Sequence, residues 1–472
     1  MPSRKVYRIV FASIVVVSLL ALANGAASSS VGQTDQQIRQ ANISDGGGGT
    51  QVVDERNGIT VIATDSNTWL GKSGDGPRAR AELVAFNPNG TVLYYNDSHT
   101  RYWDVDPVKG TQATVEYLYA DHLPKSECGS ETCTRNGIER VNLSTGTVTP
   151  VFSRITPGKH STRWHDGDRL NDSRYVVADI AQDRVFVVNT TTGIVEWAWD
   201  AQQAFDPGKS GGPFPEDWTH INDVEVVQDG HIMVSVRNHD QVIFLDRDTG
   251  MLKNWTLGSD GSHDVLYEQH NPDYIPAENG GPALLVGDSE NNRVVEYQRE
   301  NGTWNQSWTW QDAQTQWPRD ADRLPNGHTL VTDSNGNRVL ELNKQGEVVW
   351  SVDIAFPYEA ERLGTGDEST GGESAKALGL GSSEVSDSNE VAEKKDSQKE
   401  GIAGRVWIGV KQLVPGRYMN AVMYVLPAWM GPTELAALAA VLLGSLAWVG
   451  AEWRWSSRSL SIPWTVNVER KR

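Results

Sequence analysis

The sequence predicts an all-β chain, a six-bladed β-propeller with an N-terminal signal or anchor segment and a C-terminal transmembrane helix. Three observations predict the propeller. The line Arg319-Asp320-Ala321-Asp322-Arg323-Leu324-Pro325-Asn326-Gly327 has earlier returns at His270-Asn271-Pro272-Asp273, His220-Ile221-Asn222-Asp223 and His165-Asp166-Gly167-Asp168, and more faintly at Trp103-Asp104-Val105-Asp106. The leading residues lie 62, 55, 50 and 49 positions apart, and an even β-rich period of about 50 marks a propeller rather than several separate β-domains. Between the returns lie short strand-like runs, in the last unit His328 to Asp333, Arg338 to Leu342 and Glu347 to Ile354. Turn signals divide them: Pro325-Asn326-Gly327, Ser334-Asn335-Gly336 and Gln345-Gly346.

In chain order, Arg4, Lys5 and Arg8 precede an apolar stretch from Ile9 to Ala23 and the small residues Gly25-Ala26-Ala27-Ser28. Residues 1–27 are therefore a signal peptide or a signal anchor, and either sends the downstream domain out of the cytoplasm. A flexible linker is expected over 28–57, and the propeller over 58–356, its first blade the least regular. Residues 357–403 are rich in Gly, Ser and charge, and read as an acidic disordered tether. A membrane-associated region spans 404–453, with a transmembrane helix over about 432–450. Met419 to Trp429 reads equally as an interfacial segment or part of a second span. The tail at 454–472 carries Arg454, Arg458, Arg470, Lys471 and Arg472, which assigns it to the cytoplasm and the propeller to the extracytoplasmic side of the cell membrane.

The net charge of -19, from 61 acidic and 42 basic residues, argues against nucleic acid as a partner. It suits a high-salt environment and also an ordinary acidic secreted protein. Cys128 and Cys133 are the only cysteines, and outside the cytoplasm a local disulfide is favoured over metal binding. Nine Asn-x-Ser/Thr sequons, from Asn42 to Asn305, agree with an external, glycosylated domain. The 18 tryptophans read as blade packing, with Trp164 and Trp317 at the edge of the channel mouth.

Blades radiate from a central channel, so equivalent positions form rings. That geometry brings His165, His220, His270 and Arg319 together. The aspartates at 106, 168, 223, 273 and 322 recur in each unit and read as structural. Three units carry Asp, four residues, then Arg: Asp179 with Arg184, Asp288 with Arg293, Asp333 with Arg338. This pattern reads as a structural ion pair. The fourth unit has Val236 and Gln241 at those places and gains Arg237, where the others have Ile180, Ser289 and Ser334. Such a local inconsistency marks a functional site. Asn222 stands where Gly167, Pro272 and Ala321 stand elsewhere. A single ring histidine would often only bond a backbone carbonyl, and three imidazoles can also hold zinc. Three in one register beside a cation suit an anion with tetrahedral oxygens instead, and Arg237 opposes a metal. No metal site is therefore expected.

With these residues in view the chain resembles the PAPS-independent arylsulfotransferase family of bacteria and archaea. The matching segments are Asp217-Trp218-Thr219-His220-Ile221-Asn222, Val234-Ser235-Val236-Arg237-Asn238, Glu268-Gln269-His270 and the Arg-Asp-Ala-Asp-Arg-Leu-Pro-Asn-Gly line. The acidity and C-terminal anchor resemble haloarchaeal members. The resemblance implies transfer of a sulfuryl group from an aryl sulfate to a phenolic acceptor, in ping-pong fashion through a sulfohistidine. It implies catalytic roles for His270 as nucleophile and for His220 and Arg237, with Asn222, His165 and Arg319 binding substrate. It implies no cofactor. A non-catalytic cell-surface propeller that binds a ligand or protein, and a sulfate-ester hydrolase, are the alternatives.

Overall fold

Six antiparallel sheets of four or five strands follow one another along the chain and close into a ring. The structure is a computed structural model and describes residues 3–43, 49–65, 81–129, 131–158, 162–227, 230–383 and 414–456. It divides into two compact units, Ser30–Ala428 and the paired segments Met1–Ser29 and Trp429–Arg472.

In the larger unit the innermost strands are Arg101–Pro107, Trp164–Asp166, Ile221–Val226, His270–Ile275, Pro318–Arg323 and Pro357–Arg362. Each touches the next, and the last returns to the first. The ring closes by exchange: Pro357–Arg362 pairs with Thr60–Thr64, so the first blade takes its inner strand from the far end of the domain. This corrects the sequence boundary. The tether was expected from 357, but 357–383 is folded onto the propeller, and Ser383 bridges Trp310. The linker expected at 28–57 is also partly ordered. It holds the helix Ser30–Ile43, whose Ile38 is buried in a core cluster with Val84, Phe86 and Trp350. The remaining tether at 384–403, His160 and the basic tail beyond 456 lie outside the described residues.

The core is six apolar seams between neighbouring blades. Trp103, Trp164, Trp199, Trp218 and Trp310 are among its largest fully buried side chains, each contributing very roughly 1.5–3 kcal/mol or more by area. Trp164 stacks on Phe152 in one seam, so it does not edge the channel, whereas Trp317 lies 5.6 Å from His270. The Asp–Arg pairs form as read: Asp179–Arg184 at 3.2 Å, Asp288–Arg293 at 2.7 Å and Asp333–Arg338 at 2.8 Å. Each joins the ends of two paired strands across a tight connection. The Asp-Arg-Leu-Pro-Asn-Gly line is a hairpin whose Gly327 adopts φ 79° and donates to the Leu324 carbonyl.

The recurring acids divide. An innermost strand has an unpaired edge whose N–H groups need acceptors. Asp168 supplies them, accepting from Val226 N at 2.6 Å and from Arg169 N. Asp223, Asp273 and Asp322 each keep at least one buried oxygen with no partner, so a purely structural role does not account for them.

Cys128 and Cys133 form the expected disulfide. In the smaller unit the helices Arg4–Ser28 and Pro432–Trp455 pack antiparallel, Arg8 pairing with Glu452 and Phe11 stacking on Trp448. Both are long and apolar enough to cross a membrane. Of the Met419 to Trp429 segment, the part up to Ala428 belongs to the larger unit, where the ten-residue helix Gly416–Val425, too short to span a bilayer by itself, packs on the propeller.

Arg323 and Glu296 form an ion pair at 3.0 Å with both side chains fully buried. Glu296→Ala would leave the guanidinium uncompensated and should cost about 3–5 kcal/mol. Removing the solvent-facing Arg174–Glu196 pair should leave the thermal midpoint nearly unchanged. Thermal midpoints of the two variants test this contrast.

Candidate functional site

The leading residues do converge at one end of the channel. Trp103 lies 4.1 Å from His165 between ring centroids, His165 lies 5.3 Å from His220, and Tyr358 lies 5.7 Å from His165 and 6.4 Å from His270. Tyr358 is the sixth ring member. Irregular backbone aims these side chains. Four innermost strands shift register at or just after the ring position, at Tyr102/Val105, Ile221/Asp223, His270/Asp273 and Pro318/Asp320. His220, Asn271, Trp317 and Phe356 hold positive φ, at 46°, 31°, 57° and 52°. Non-glycine residues rarely take such angles, which cluster where function demands a fixed direction.

His270 is almost fully buried, and its Nδ1 lies 2.8 Å from Ser289 Oγ. The Ser289 hydroxyl lies 2.7 Å from the Pro318 carbonyl, which can only accept. Its hydrogen is therefore used there, and the oxygen accepts from His270 Nδ1–H. That assigns the neutral tautomer with its lone pair on Nε2. Burial, followed by the charges of Arg319, Arg237 and His220, holds His270 well below the usual histidine range, against a smaller pull from the Glu268 carbonyl. His165 is likewise pushed down, first by burial and then by His220, Arg163 and Arg319. Its Nδ1 meets Tyr358 Oη at 2.9 Å, and its buried Nε2 has no partner. His220 Nδ1 meets Asp217 Oδ1 at 2.7 Å. Burial and Arg237 lower His220, while Asp217 opposes them. Burial raises Asp217, but His220, Arg237 and Arg163 outweigh it and hold the carboxyl below its ordinary range.

Arg237 differs from its sequence reading. It is not a lone cation, because it pairs with Glu268. Glu268 also faces Arg417, at 3.2 Å, so two guanidinium groups share one carboxylate. Arg319 repeats the arrangement: it lies 3.2 Å from Asp65, which also pairs with Arg101. Each trio keeps one net positive charge. Asn222 is also less free than expected. Its amide donates to the Gln269 carbonyl at 3.0 Å, tying down the residue before His270, and its buried Oδ1 has no partner.

Sequence reasoning missed Arg163. It has no ion-pair partner among the described residues and lies 5.3 Å over the Trp103 ring. Burial, then Arg101, pushes it down to about 10, against Asp65, so it stays cationic at neutral pH. Its position just ahead of Trp164 and His165 was the available signal. Ser289 was also missed as a partner of His270, although it occupies the same register as Arg237. The Gly416–Val425 helix reaches this end of the channel, with Tyr424 against Trp317 and Phe356 at 5.7 and 5.4 Å. Neutral imidazoles among guanidinium groups that exceed their carboxylates can bind an oxyanion and present one lone pair to it.

Residues 164–355, which include the ring from His165 to Arg319, match the family model described as arylsulfotransferase (ASST). No curated protein matches the chain. Among solved structures, a Bacteroides caccae protein of unknown function is 12% identical, with 64% of this chain and 98% of that chain covered and a TM-score of 0.43. A putative 6-phosphogluconolactonase from Bacteroides fragilis is 12% identical over 64% of this chain and 97% of its own, with a TM-score of 0.42. The periplasmic gluconolactonase of Pseudomonas aeruginosa is 13% identical over 66% and 99%, with a TM-score of 0.39.

The depressed imidazoles link stability to pH. Unfolded histidines bind protons near pH 6.5, and these folded ones do not. Their contribution is full above about pH 6.5 and is lost as pH falls below it, at up to about 1.4 kcal/mol per pH unit per group. The channel carboxyls, raised by burial, act in the opposite sense. A variant therefore isolates the effect. His165→Gln should lose less of its thermal midpoint than the parent between about pH 7.5 and about pH 5.5. Equal losses would mean that His165 titrates normally.

Proposed function

We propose that this protein transfers a sulfuryl group from an aryl sulfate to a phenolic acceptor through a covalent intermediate on His270. The observation that carries the reading is the Pro318–Ser289–His270 chain, which fixes the protonated nitrogen and leaves Nε2 as a nucleophile. The family-model match over residues 164–355 supports the reading at family level.

In the first half-reaction His270 Nε2 attacks sulfur. The bond from sulfur to the aryl oxygen breaks, and its electron pair leaves with the phenolate. Arg237, Arg319 and Arg163 offset the charge on the sulfuryl oxygens as it shifts. His220 holds its Nδ1 proton toward Asp217 and presents Nε2 to the substrate. His165 and Asn222 keep an unused nitrogen and an unused oxygen at the site. In the second half-reaction an acceptor phenol loses its proton to a neighbouring imidazole. Its oxygen then attacks sulfur, and the electron pair of the N–S bond returns to His270 Nε2. The low basicity of His270 keeps it unprotonated at neutral pH.

The same reading puts the propeller outside the cytoplasm, anchored through its terminal helices. Arg4, Lys5 and Arg8 sit at the end of one helix that meets Glu452 and Trp455 of the other. Arg4, Lys5 and Arg8 thus lie at the same end of the helix pair as Arg454, and the positive-inside rule makes that side cytoplasmic. The disulfide agrees with an oxidising compartment.

The test uses the full chain in detergent at high salt, with 4-nitrophenyl sulfate as donor. Nitrophenol release should rise with added phenol and fall to background in His270→Ala. Ser289→Ala should lower kcat roughly tenfold with KM little changed, because it loosens orientation rather than binding. Release indifferent to phenol but lost in His270→Ala would make the protein a hydrolase. No release with any aryl sulfate would leave a binding propeller.

A further inference from the structure

The other end of the same channel carries the opposite charge. Along each innermost strand the ring residue is followed by acids that point into the channel, and a final segment adds more. Asp273, Asp320, Asp322 and Glu368 each offer one oxygen, and these oxygens all lie within 4.8 Å of one another. A second group of the same kind, Asp104, Asp106 and Glu359, shares Glu368. We propose that this acidic end of the channel binds Ca2+, with Asp273, Asp320, Asp322 and Glu368 as its protein ligands and the second group as an adjoining site.

Asp322 carries the argument. It is 1% exposed, and no N–H or hydroxyl group donates to either of its carboxylate oxygens. Asp168 occupies the same register three blades earlier, and backbone N–H groups take both of its oxygens. A carboxylate whose only purpose is to tie blades together looks like Asp168. Asp273 and Asp320 are intermediate. Ser369 Oγ donates to Asp273 Oδ2, and Ala360 N and Thr332 Oγ1 donate to Asp320 Oδ2. In both residues the other oxygen, Oδ1, is buried and has no partner. The protein thus orients one oxygen of each group and leaves the other bare, which is how ligating carboxylates are held. An unpaired buried polar atom costs about 1–3 kcal/mol, more when charged, and several in one place need a compensating partner.

Protonation is the competing remedy. Burial, reinforced by neighbouring acids, raises Asp273, Asp322, Glu359 and Glu368 well above the carboxylate range. A protonated Asp322 can donate to Asp320, but that one hydrogen serves one oxygen of Asp322 and leaves its other buried oxygen bare. The segment after the last strand makes charge crowding worse rather than better. It brings Asp367 and Glu368 against this ring, with Glu368 at φ 48°. A cavity of about 50 Å3 opens at the adjoining group, lined among others by Asp104, Asp106, Asp166, Asp168, Asp367 and Glu368, and only Glu368 of the four main ligands lines it. One ion with a water fits that space, since a water takes about 30 Å3.

The donor set selects the ion. All the donors are carboxylate oxygens, which excludes the nitrogen and sulfur preferences of zinc and copper. Ca2+ accepts 6–8 oxygens at about 2.3–2.6 Å, so ligand oxygens up to about 5 Å apart can share it. Mg2+ keeps several waters and seldom sits in an all-protein cage. Bound Ca2+ would draw together strands of the fifth and sixth blades and the C-terminal segment. It would also reduce a negative field that reaches Tyr358 of the ring through Asp166 and Glu359.

The experiment uses the full chain in detergent, stripped with EDTA and desalted, titrated with CaCl2 alone at high NaCl. Equilibrium dialysis with radioactive Ca2+ should find one or two ions per chain, displaced only by a large excess of Mg2+, and the thermal midpoint should rise with Ca2+. Asp322→Asn should weaken the tighter site at least about tenfold, or about 1.4 kcal/mol. The same variant should melt higher than the parent in EDTA, because it takes one acid out of a crowded buried cluster. A surface control, Glu196→Gln, should bind Ca2+ like the parent. No saturable binding by the parent would overturn the proposal, as would binding that Asp322→Asn leaves unchanged. Ca2+ binding is read without any sulfate ester, so its failure and the failure of sulfuryl transfer are separate results.

Discussion

The unpaired inner edges of six strands are the constraint on which the molecule is built. A propeller leaves one edge of each blade facing the channel, and a buried N–H there must find an acceptor. This chain answers with carboxylates from the preceding blade. Asp104 accepts from Gly167 N at 3.3 Å, Glu225 from Tyr274 N at 2.9 Å, Asp320 from Ala360 N at 3.2 Å and Glu359 from Val105 N at 2.8 Å. The ties run around the ring and include the blade closed by Pro357–Arg362. Acids are thus concentrated at one end of the channel by the fold itself.

The opposite end has the complementary problem. Its ring residues are imidazoles, aromatic rings and Arg319, and at four of them the innermost strand is locally bulged. Guanidinium groups outnumber carboxylates there, because Asp65 and Glu268 each serve two arginines. Burial among these charges keeps the histidines neutral. A neutral imidazole in a positive field suits attack on an anionic ester better than an imidazolium would, since the field attracts the anion and the lone pair stays available. The two ends of one channel thus carry opposite charge: guanidinium groups and neutral imidazoles at the ring, carboxyl groups at the other end.

Much of this was legible in the sequence because propeller repeats make register equivalent to position. The period gave the blades, and the leading residues gave His165, His220, His270 and Arg319 as neighbours. What failed to repeat was lost. Tyr358 follows Arg319 by fewer residues than the earlier spacings, since the closing strand needs no blade of its own before it. It therefore fell into the segment read as tether. Arg237 read as a lone cation because its partner, Glu268, lies in another blade. A sequence has no register that links the two. The acids at 223, 273 and 322 repeat as faithfully as Asp168, and only hydrogen-bond partners separate a tied carboxylate from a bare one.

The central claim is that His270 carries the sulfuryl group. The most direct measurement mixes the full chain with a slight excess of 4-nitrophenyl sulfate, without acceptor, and follows nitrophenol release and the intact-peptide mass together. The account predicts a burst of about one nitrophenol per chain and a gain of one SO3 on the peptide containing His270, discharged on adding phenol. Turnover with no burst and no modified peptide would contradict it, as would a gain of SO3 that persists in His270→Ala.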